Sequence, residues 1–104
     1  MSEITSVEVQ NPTGRVPDQF GLHQNYPNPF NPTTVIAYEL PKEGSVSLKV
    51  FDVLGREIRT LEMGRQTAGL HSVNFNAEEL PSGVYFYRLQ AGSFGETKKM
   101  VILK

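Results

Sequence analysis

The stretch LPSGVYFYRL, residues 80–89, is the clearest fold signal in this chain. A proline and a glycine form a corner, and the aromatic and β-branched run after them has the composition typical of a strand. Alternation places Tyr85, Tyr87 and Leu89 on one face, which indicates that this face packs in a core. The spacing Leu-Pro-x-Gly-x-Tyr also predicts a tyrosine corner, in which the Tyr85 phenol bonds an upstream backbone group and fixes the crossover between two sheets.

A further strand is predicted at residues 96–104, after a turn at residues 91–95. Its apolar run MVIL at residues 100–103 leaves neither face polar, although a surface strand of a two-layer sandwich normally has one polar face. A loop or a partner is therefore expected to cover the second face. Val101 and Leu103 are expected to be the core anchors of this strand.

Short β-rich runs between Gly, Pro and Asn clusters continue upstream as far as Phe20, and no apolar helical period is sustained. The pattern predicts seven strands and hence an all-β, immunoglobulin-like antiparallel β-sandwich. The turn signature PKEG at residues 41–44 predicts a hairpin between the second and third strands. The predicted strands are 22–25, 34–40, 45–52, 56–62, 71–75, 84–91 and 96–104. The residues expected to face the core include Ile36, Tyr38, Leu40, Val46, Leu48, Val50, Ile58, Val73 and Phe75.

The segment NYPNPFNP, residues 25–32, is expected to be a rigid loop, because its three prolines cannot donate ladder hydrogen bonds. Two interpretations of it are open. Either Tyr26 and Phe30 form a docking surface, or Phe30 closes one end of the sandwich while the prolines stiffen the loop. The structural interpretation is favoured. The prolines in question are Pro27, Pro29 and Pro32.

Length and composition indicate one domain with a modest core. The 104 residues carry 10 basic and 11 acidic side chains, a balance that does not favour nucleic acid as a partner. Cysteine is absent, which excludes disulfides and thiolate chemistry. Residues 1–19 are polar and are predicted to be a linker or the tail of a preceding domain, mobile to about residue 17, whereas residues 20–104 form the domain.

No combination of residues indicates catalysis. His23 and His71 have no partners at metal-ligand spacing, and no nucleophile elbow or phosphate loop is present. Asp52 and Glu57 flank a turn, but two carboxylates fall short of the roughly six to eight oxygens that Ca²⁺ takes. The sequence therefore predicts no enzyme, no cofactor and no metal site.

Three segments together go beyond fold class: NYPNPFNPTT at residues 25–34, LPSGVYFYRL at residues 80–89 and KKMVILK at residues 98–104. With KVFDVLG at residues 49–55, they make the chain from residue 22 onward resemble the type A C-terminal sorting domain of the type IX secretion system. The immunoglobulin-like domain of the flagellar hook-capping protein is similar around residues 83–85 and is the second choice. That domain does not normally end in a lysine-rich strand.

The resemblance implies a non-catalytic signal that directs an N-terminal cargo domain across the outer membrane. The implied partners are the outer-membrane translocon with its shuttle components and a sortase-like peptidase, which would cut in the linker or further upstream. The implied location is the periplasm in transit, and then the cell surface or the medium. A weak homodimer through the exposed strand is a further possibility.

The hypothetical recognition site is the terminal strand, whereas other motif residues are expected to be structural. The lysines of the terminal strand either contact the export machinery or only protect an edge strand against aggregation. The alternative function is a carbohydrate-binding or adhesive accessory module, with Tyr26, Phe86 and Tyr87 as an aromatic platform, although alternation argues that Tyr87 lies in the core. The recognition residues are Lys98, Lys99, Met100, Ile102 and Lys104, and the structural motif is Pro27, Pro29, Phe30, Pro32, Pro81, Gly83 and Tyr85.

Overall fold

The computed structural model describes residues 16–104, and the expected mobile linker therefore lies almost entirely outside the described residues. Within this range the protein has seven strands and no helix, and so no helix that could cross a membrane. The strands are β1 (Gly21–Leu22), β2 (Thr33–Leu40), β3 (Gly44–Phe51), β4 (Glu57–Gln66), β5 (Gly69–Asn76), β6 (Gly83–Ala91) and β7 (Phe94–Ile102).

Two antiparallel sheets form the molecule, which confirms the predicted all-β, immunoglobulin-like sandwich. The three-stranded sheet has the order β1-β2-β5, and the four-stranded sheet has the order β4-β3-β6-β7. The connections β3–β4 and β6–β7 are hairpins within the larger sheet, whereas β2–β3, β4–β5 and β5–β6 pass from one sheet to the other.

The predicted hairpin between the second and third strands is wrong, because β2 and β3 belong to different sheets. The PKEG segment does reverse the chain between Leu40 and Gly44, as its turn residues predict. Turn residues specify a change of direction, but they do not specify which strand pairs with which. Leu40 and Val46 are both buried, so the chain crosses between the layers with its apolar side chains on the core side.

Alternation of apolar side chains builds the core between the two layers. Tyr38, Leu48 and Tyr87 are at most 1% exposed, as their strand phases predict. Each fully buried large side chain contributes roughly 1.5–3 kcal/mol relative to an exposed one. Ile58 and Val73 are only partly buried against this cluster. The core consists of Leu22, Phe30, Ile36, Tyr38, Leu40, Val46, Leu48, Val50, Phe75, Ala77, Tyr85, Tyr87, Leu89, Ala91, Met100 and Ile102.

The predicted tyrosine corner is present at the start of β6. The buried Tyr85 hydroxyl donates a hydrogen bond to the Pro81 carbonyl oxygen at 2.8 Å. Gly83, between them, has φ of 150°, a conformation that side-chain-bearing residues rarely adopt. The corner therefore fixes how the chain enters β6 from the crossover that follows β5.

The chain enters and finishes at opposite ends of the sandwich. At the entry end, Phe20 stacks on Phe94 with ring centroids 5.0 Å apart, beside the β6–β7 turn. At the terminal end, Phe30 forms a β-bridge with Ile102, and the backbone N–H of Lys104 donates to Ser82 Oγ at 3.0 Å. The β3–β4 turn at residues 52–56 also lies at the terminal end, since Phe51 pairs with Phe86 near the start of β6.

Candidate functional site

The terminal strand β7 is an edge strand whose phase differs from the sequence prediction. Met100 and Ile102 face the core and are 0% and 1% exposed, whereas Leu103 is 61% exposed. The expectation that Val101 and Leu103 anchor the strand is therefore wrong. The register explains the difference, because Met100 pairs with the inward-facing Tyr85, and cross-strand partners share a face. Met100 and Ile102, two residues of the predicted recognition site, lie in the interior and are not part of the surface that the folded domain presents.

The three lysines do not form one fringe. Lys98 lies on the core-facing side of β7, where its ammonium is 3.3 Å from the Glu96 carboxylate. Lys104 Nζ donates to the Glu78 carbonyl oxygen, which ties the last residue back to the turn after β5. Lys99 points outward and, among residues 16–104, has no carboxylate partner. Lys99 is thus the lysine of this strand whose charge is presented uncompensated on the outer face.

The proline-rich loop covers the outer edge of β7 and so protects this strand from pairing with another chain. Phe30 N–H donates to the Val101 carbonyl at 3.1 Å, and Leu103 N–H donates to the Phe30 carbonyl at 3.0 Å. Asn28 Oδ1 accepts from Val101 N–H at 2.9 Å, and Gln24 Nε2 donates to the Lys99 carbonyl at 2.7 Å. The outward backbone groups from the Lys99 carbonyl to the Leu103 N–H are therefore paired, and a free edge for strand addition is removed there.

Phe30 closes the terminal end of the sandwich, as the structural interpretation of the loop predicts. Its side chain is 2% exposed and its ring lies 6.1 Å from that of Phe75. Tyr26, in contrast, is 80% exposed and bridges Val35 only through its backbone. The peptide bonds that precede Pro27, Pro29 and Pro32 are all cis.

A buried polar network holds this loop in place. Asn25 is 2% exposed, and its Nδ2 donates to Thr34 Oγ1 at 3.0 Å and to the Pro27 carbonyl at 3.1 Å. Its backbone N–H donates to the Tyr87 hydroxyl at 2.8 Å, and that hydroxyl donates to the His23 carbonyl at 2.7 Å. Burial raises the pKa of Tyr87 to about 12; the hydrogen bond from the Asn25 N–H opposes this rise, and the Glu96 carboxylate adds a still smaller increase. The phenol thus remains neutral, and its hydrogen bonds hold the loop against β6.

Sequence reasoning missed Gln24, Asn25, Asn28 and Thr34. The only signal for them is their position: three of them are amide side chains in or just before the proline-rich segment, where prolines leave few backbone donors. A buried segment with few donors needs side chains to pair its neighbours' backbone groups. This rule indicates that such amides are structural, but it does not indicate that the partners of Gln24 and Asn28 lie on β7.

The other residues considered for chemistry have local partners. His23 Nε2 lies 2.7 Å from a Glu39 carboxylate oxygen, and His71 stacks on Tyr38 at 5.2 Å. Asp52 Oδ1 accepts from the backbone N–H groups of Leu54 and Arg56, and these bonds, led by that of Arg56, lower the pKa of Asp52. Within the described part of the chain, no three His, Asp or Glu side chains are grouped so as to hold a metal ion.

The aromatic platform of the alternative function does not form from the three residues considered. Tyr87 is fully buried, and Phe86 faces the opposite side of β6 from Tyr87. Tyr26 lies in the proline-rich loop, away from the Phe86 side of the larger sheet. No shared stacking surface for a sugar ring results.

A family model matches the chain over a range that covers the elements just described. The family model is that of the secretion system C-terminal sorting domain, and it matches residues 24–103, which is most of the chain. A comparison with curated proteins gives no match. The matched range begins with the loop that covers β7 and ends within the last residues of the terminal end. The chain therefore belongs to the family of type IX secretion C-terminal sorting domains.

Proposed function

We propose that residues 20–104 act as a non-catalytic export signal, which directs a cargo protein attached upstream through the outer membrane by the type IX secretion machinery. Family membership supports the sorting role. One geometric observation carries the rest of the proposal: the chain enters beside Phe94, whereas the proline-rich loop, the tyrosine corner and the terminal strand all gather at the opposite end. A cargo at the entry end leaves the terminal end accessible.

Recognition then concerns a folded surface and not a linear peptide. Met100 and Ile102 hold β7 in the core, and the loop fixes its edge, so a partner meets a rigid shape. Lys99 contributes an outward charge, whereas Lys98 is paired with Glu96 within β7 and Lys104, just beyond the strand, is bonded to the Glu78 carbonyl. The proposed partners are a translocon component or shuttle protein of the outer membrane.

Residues 1–19 serve as the linker between cargo and signal in this proposal, and a sortase-like peptidase acts there or further upstream. The cargo then passes from the periplasm to the cell surface or the medium. The stacking of Phe20 on Phe94 supports residue 20 as the start of the folded unit.

Fusing the full chain behind a periplasmic reporter in a host with a type IX system tests this proposal. We expect the reporter at the cell surface or in the medium, and we expect it in the periplasm in a matched host without the translocon. The reporter without the domain is the control. A fusion that is folded and stable but stays in the periplasm of the competent host would contradict the proposal.

A further inference from the structure

The outer face of the four-stranded sheet carries an apolar patch at the terminal end. Val84 pairs with Val101, and Phe86 pairs with Phe51, all on the side of the sheet away from the core. Val84 is 37% exposed, and the neighbouring β3–β4 turn adds Val53 and Leu54, which are 65% and 73% exposed. We call these residues the outer patch: Phe51, Val53, Leu54, Val84, Phe86 and Val101. A cluster of this kind, with no role in the core, is typical of a contact surface.

Positive charge without a compensating acid lies beside the outer patch. Lys99 pairs across the sheet with Phe86, and the Arg88 guanidinium lies two residues further along β6. Neutral acceptors hold the guanidinium: Arg88 Nη1 donates to Thr97 Oγ1 and Nη2 donates to Gln90 Oε1, each at 3.0 Å. Among the residues that the structure describes, neither cation has a carboxylate partner.

Gly95 gives the Arg88 guanidinium its place on the sheet. A Cβ atom at Gly95 would collide with this guanidinium and also meet Gln90 Oε1 at 3.0 Å. The other charges on this face are paired, since Lys49 lies 3.3 Å from Glu57 and Arg56 lies 2.8 Å from Asp52. Hence the Arg88 guanidinium is held in position, and neither Arg88 nor Lys99 is neutralised by an acid, as expected of groups that meet an anionic partner.

We propose that the outer patch, with Arg88 and Lys99, is the docking surface for an acidic and apolar segment of the protein that receives the signal in the export machinery. This inference rests on the proposed sorting function and specifies which face is used and the chemistry of its partner. A second copy of the chain is disfavoured, because two outer patches placed face to face bring their uncompensated cations together. The entry end is remote from the patch, so an attached cargo leaves it free.

Two valines of matched exposure test the location of this docking surface. Val84 lies on the outer patch, and Val35, which is 40% exposed, lies on the outer face of the other sheet. In the reporter fusion of the full chain, we expect Val84→Glu to lower export at least about tenfold, because the introduced carboxylate would be buried against an acidic partner. We expect Val35→Glu to leave export within about twofold. The isosteric pair Val84→Thr and Val35→Thr repeats the comparison if either Glu variant lowers the unfolding midpoint.

A pair of charge reversals tests the chemistry of the partner. Arg88→Glu with Lys99→Glu should reduce export, whereas Lys42→Glu with Arg65→Glu, which changes the net charge equally away from the patch, should not. The variant Gly95→Ala displaces the Arg88 side chain without changing any charge and should give an intermediate loss. Unfolding midpoints of the purified chains show whether each variant is folded.

The outcomes separate this inference from the proposed function. Normal export of Val84→Glu and of the Arg88/Lys99 double variant, with an exported parent, would overturn the docking surface while the sorting function stands. A parent dimer in sedimentation equilibrium that Val84→Glu dissociates would show that the patch joins two copies, and it would overturn the proposed partner. A parent reporter that is not exported at all would overturn the sorting function, and the inference with it.

Discussion

At the scale of single residues, two tyrosine hydroxyls perform different tasks. Tyr85 bonds the carbonyl of Pro81, an exposed residue, whereas Tyr87 bonds a backbone N–H of Asn25, which is buried. The tyrosine corner follows from the spacing in the sequence. The hydrogen bond between Tyr87 and Asn25 does not follow from the sequence, because the two residues are 62 positions apart and Asn25 lies in a loop whose path no local pattern specifies.

The variants Tyr85→Phe and Tyr87→Phe should therefore differ in stability. Without the Tyr85 hydroxyl, water can reach the Pro81 carbonyl, and the loss is expected to be about 0.5–1.5 kcal/mol. Without the Tyr87 hydroxyl, a buried N–H is left unsatisfied, and the loss is expected to be about 1–3 kcal/mol. Denaturant unfolding measures both. An equal or reversed order would contradict the role given to Tyr87.

Alkaline pH should lower the stability of the fold through the ionisation of Tyr87. The pKa of Tyr87 rises from 10.0 to about 12 in the folded state because the phenol is buried, and burial raises that of Tyr38 to about 12 as well. A raised folded-state pKa means that the stabilisation is complete below pH 10 and is lost as the pH rises towards 12. In Tyr87→Phe, the slope of stability against pH should be shallower between pH 10 and 12. An unchanged slope would show that Tyr87 titrates normally.

At the scale of elements, strands with clean alternation were predictable and the terminal strand was not. In β3, polar residues alternate with apolar ones, and in β6 the polar Arg88 and Gln90 mark the outer face; the predicted inward faces of both strands are confirmed. In β7, four consecutive apolar residues give two equivalent phases, and only the pairing with β6 selects one. The crossover after β2 was missed for a related reason, since turn residues carry no information on the partner strand.

The phase of β7 predicts which terminal residue matters for stability. Ile102→Ala should cost about 2–5 kcal/mol, because it removes a side chain that is 1% exposed. Leu103→Ala should change stability by no more than about 0.5 kcal/mol, because Leu103 is largely exposed. Denaturant midpoints of the two variants compare them directly. A larger loss of stability for Leu103→Ala than for Ile102→Ala would contradict the observed phase and favour the one expected from the sequence.

The cover over β7 can be tested at one amide. Asn28 Oδ1 is the acceptor for Val101 N–H, so Asn28→Ala should increase hydrogen exchange at the Val101 amide. The Leu103 amide, which donates to the Phe30 carbonyl, serves as the internal control and should keep more of its protection. Exchange measured by NMR resolves the two sites. Unchanged protection at Val101 would show that Asn28 does not cover the edge.

At the scale of the whole molecule, the fold separates attachment from recognition. The family and the sandwich could be recognised from short sequence segments, and the match over residues 24–103 confirms the family. What the segments did not reveal is that they meet at one end: the proline-rich loop contacts a strand about 70 residues away, with Asn28 bonding Val101. Such contacts depend on topology, which single-sequence patterns do not encode.

The central claim is that the terminal end carries the export signal and the entry end carries the cargo. The most direct measurement places the same short epitope either between Gly92 and Ser93, in the entry-end turn, or after Lys104, and compares surface delivery of the fused reporter. Exposed turns and chain ends both tolerate insertions, so both fusions should fold, which their unfolding midpoints verify. We expect normal delivery for the entry-end epitope and a loss for the terminal one. Normal delivery with the terminal epitope and a loss with the entry-end epitope would contradict the central claim.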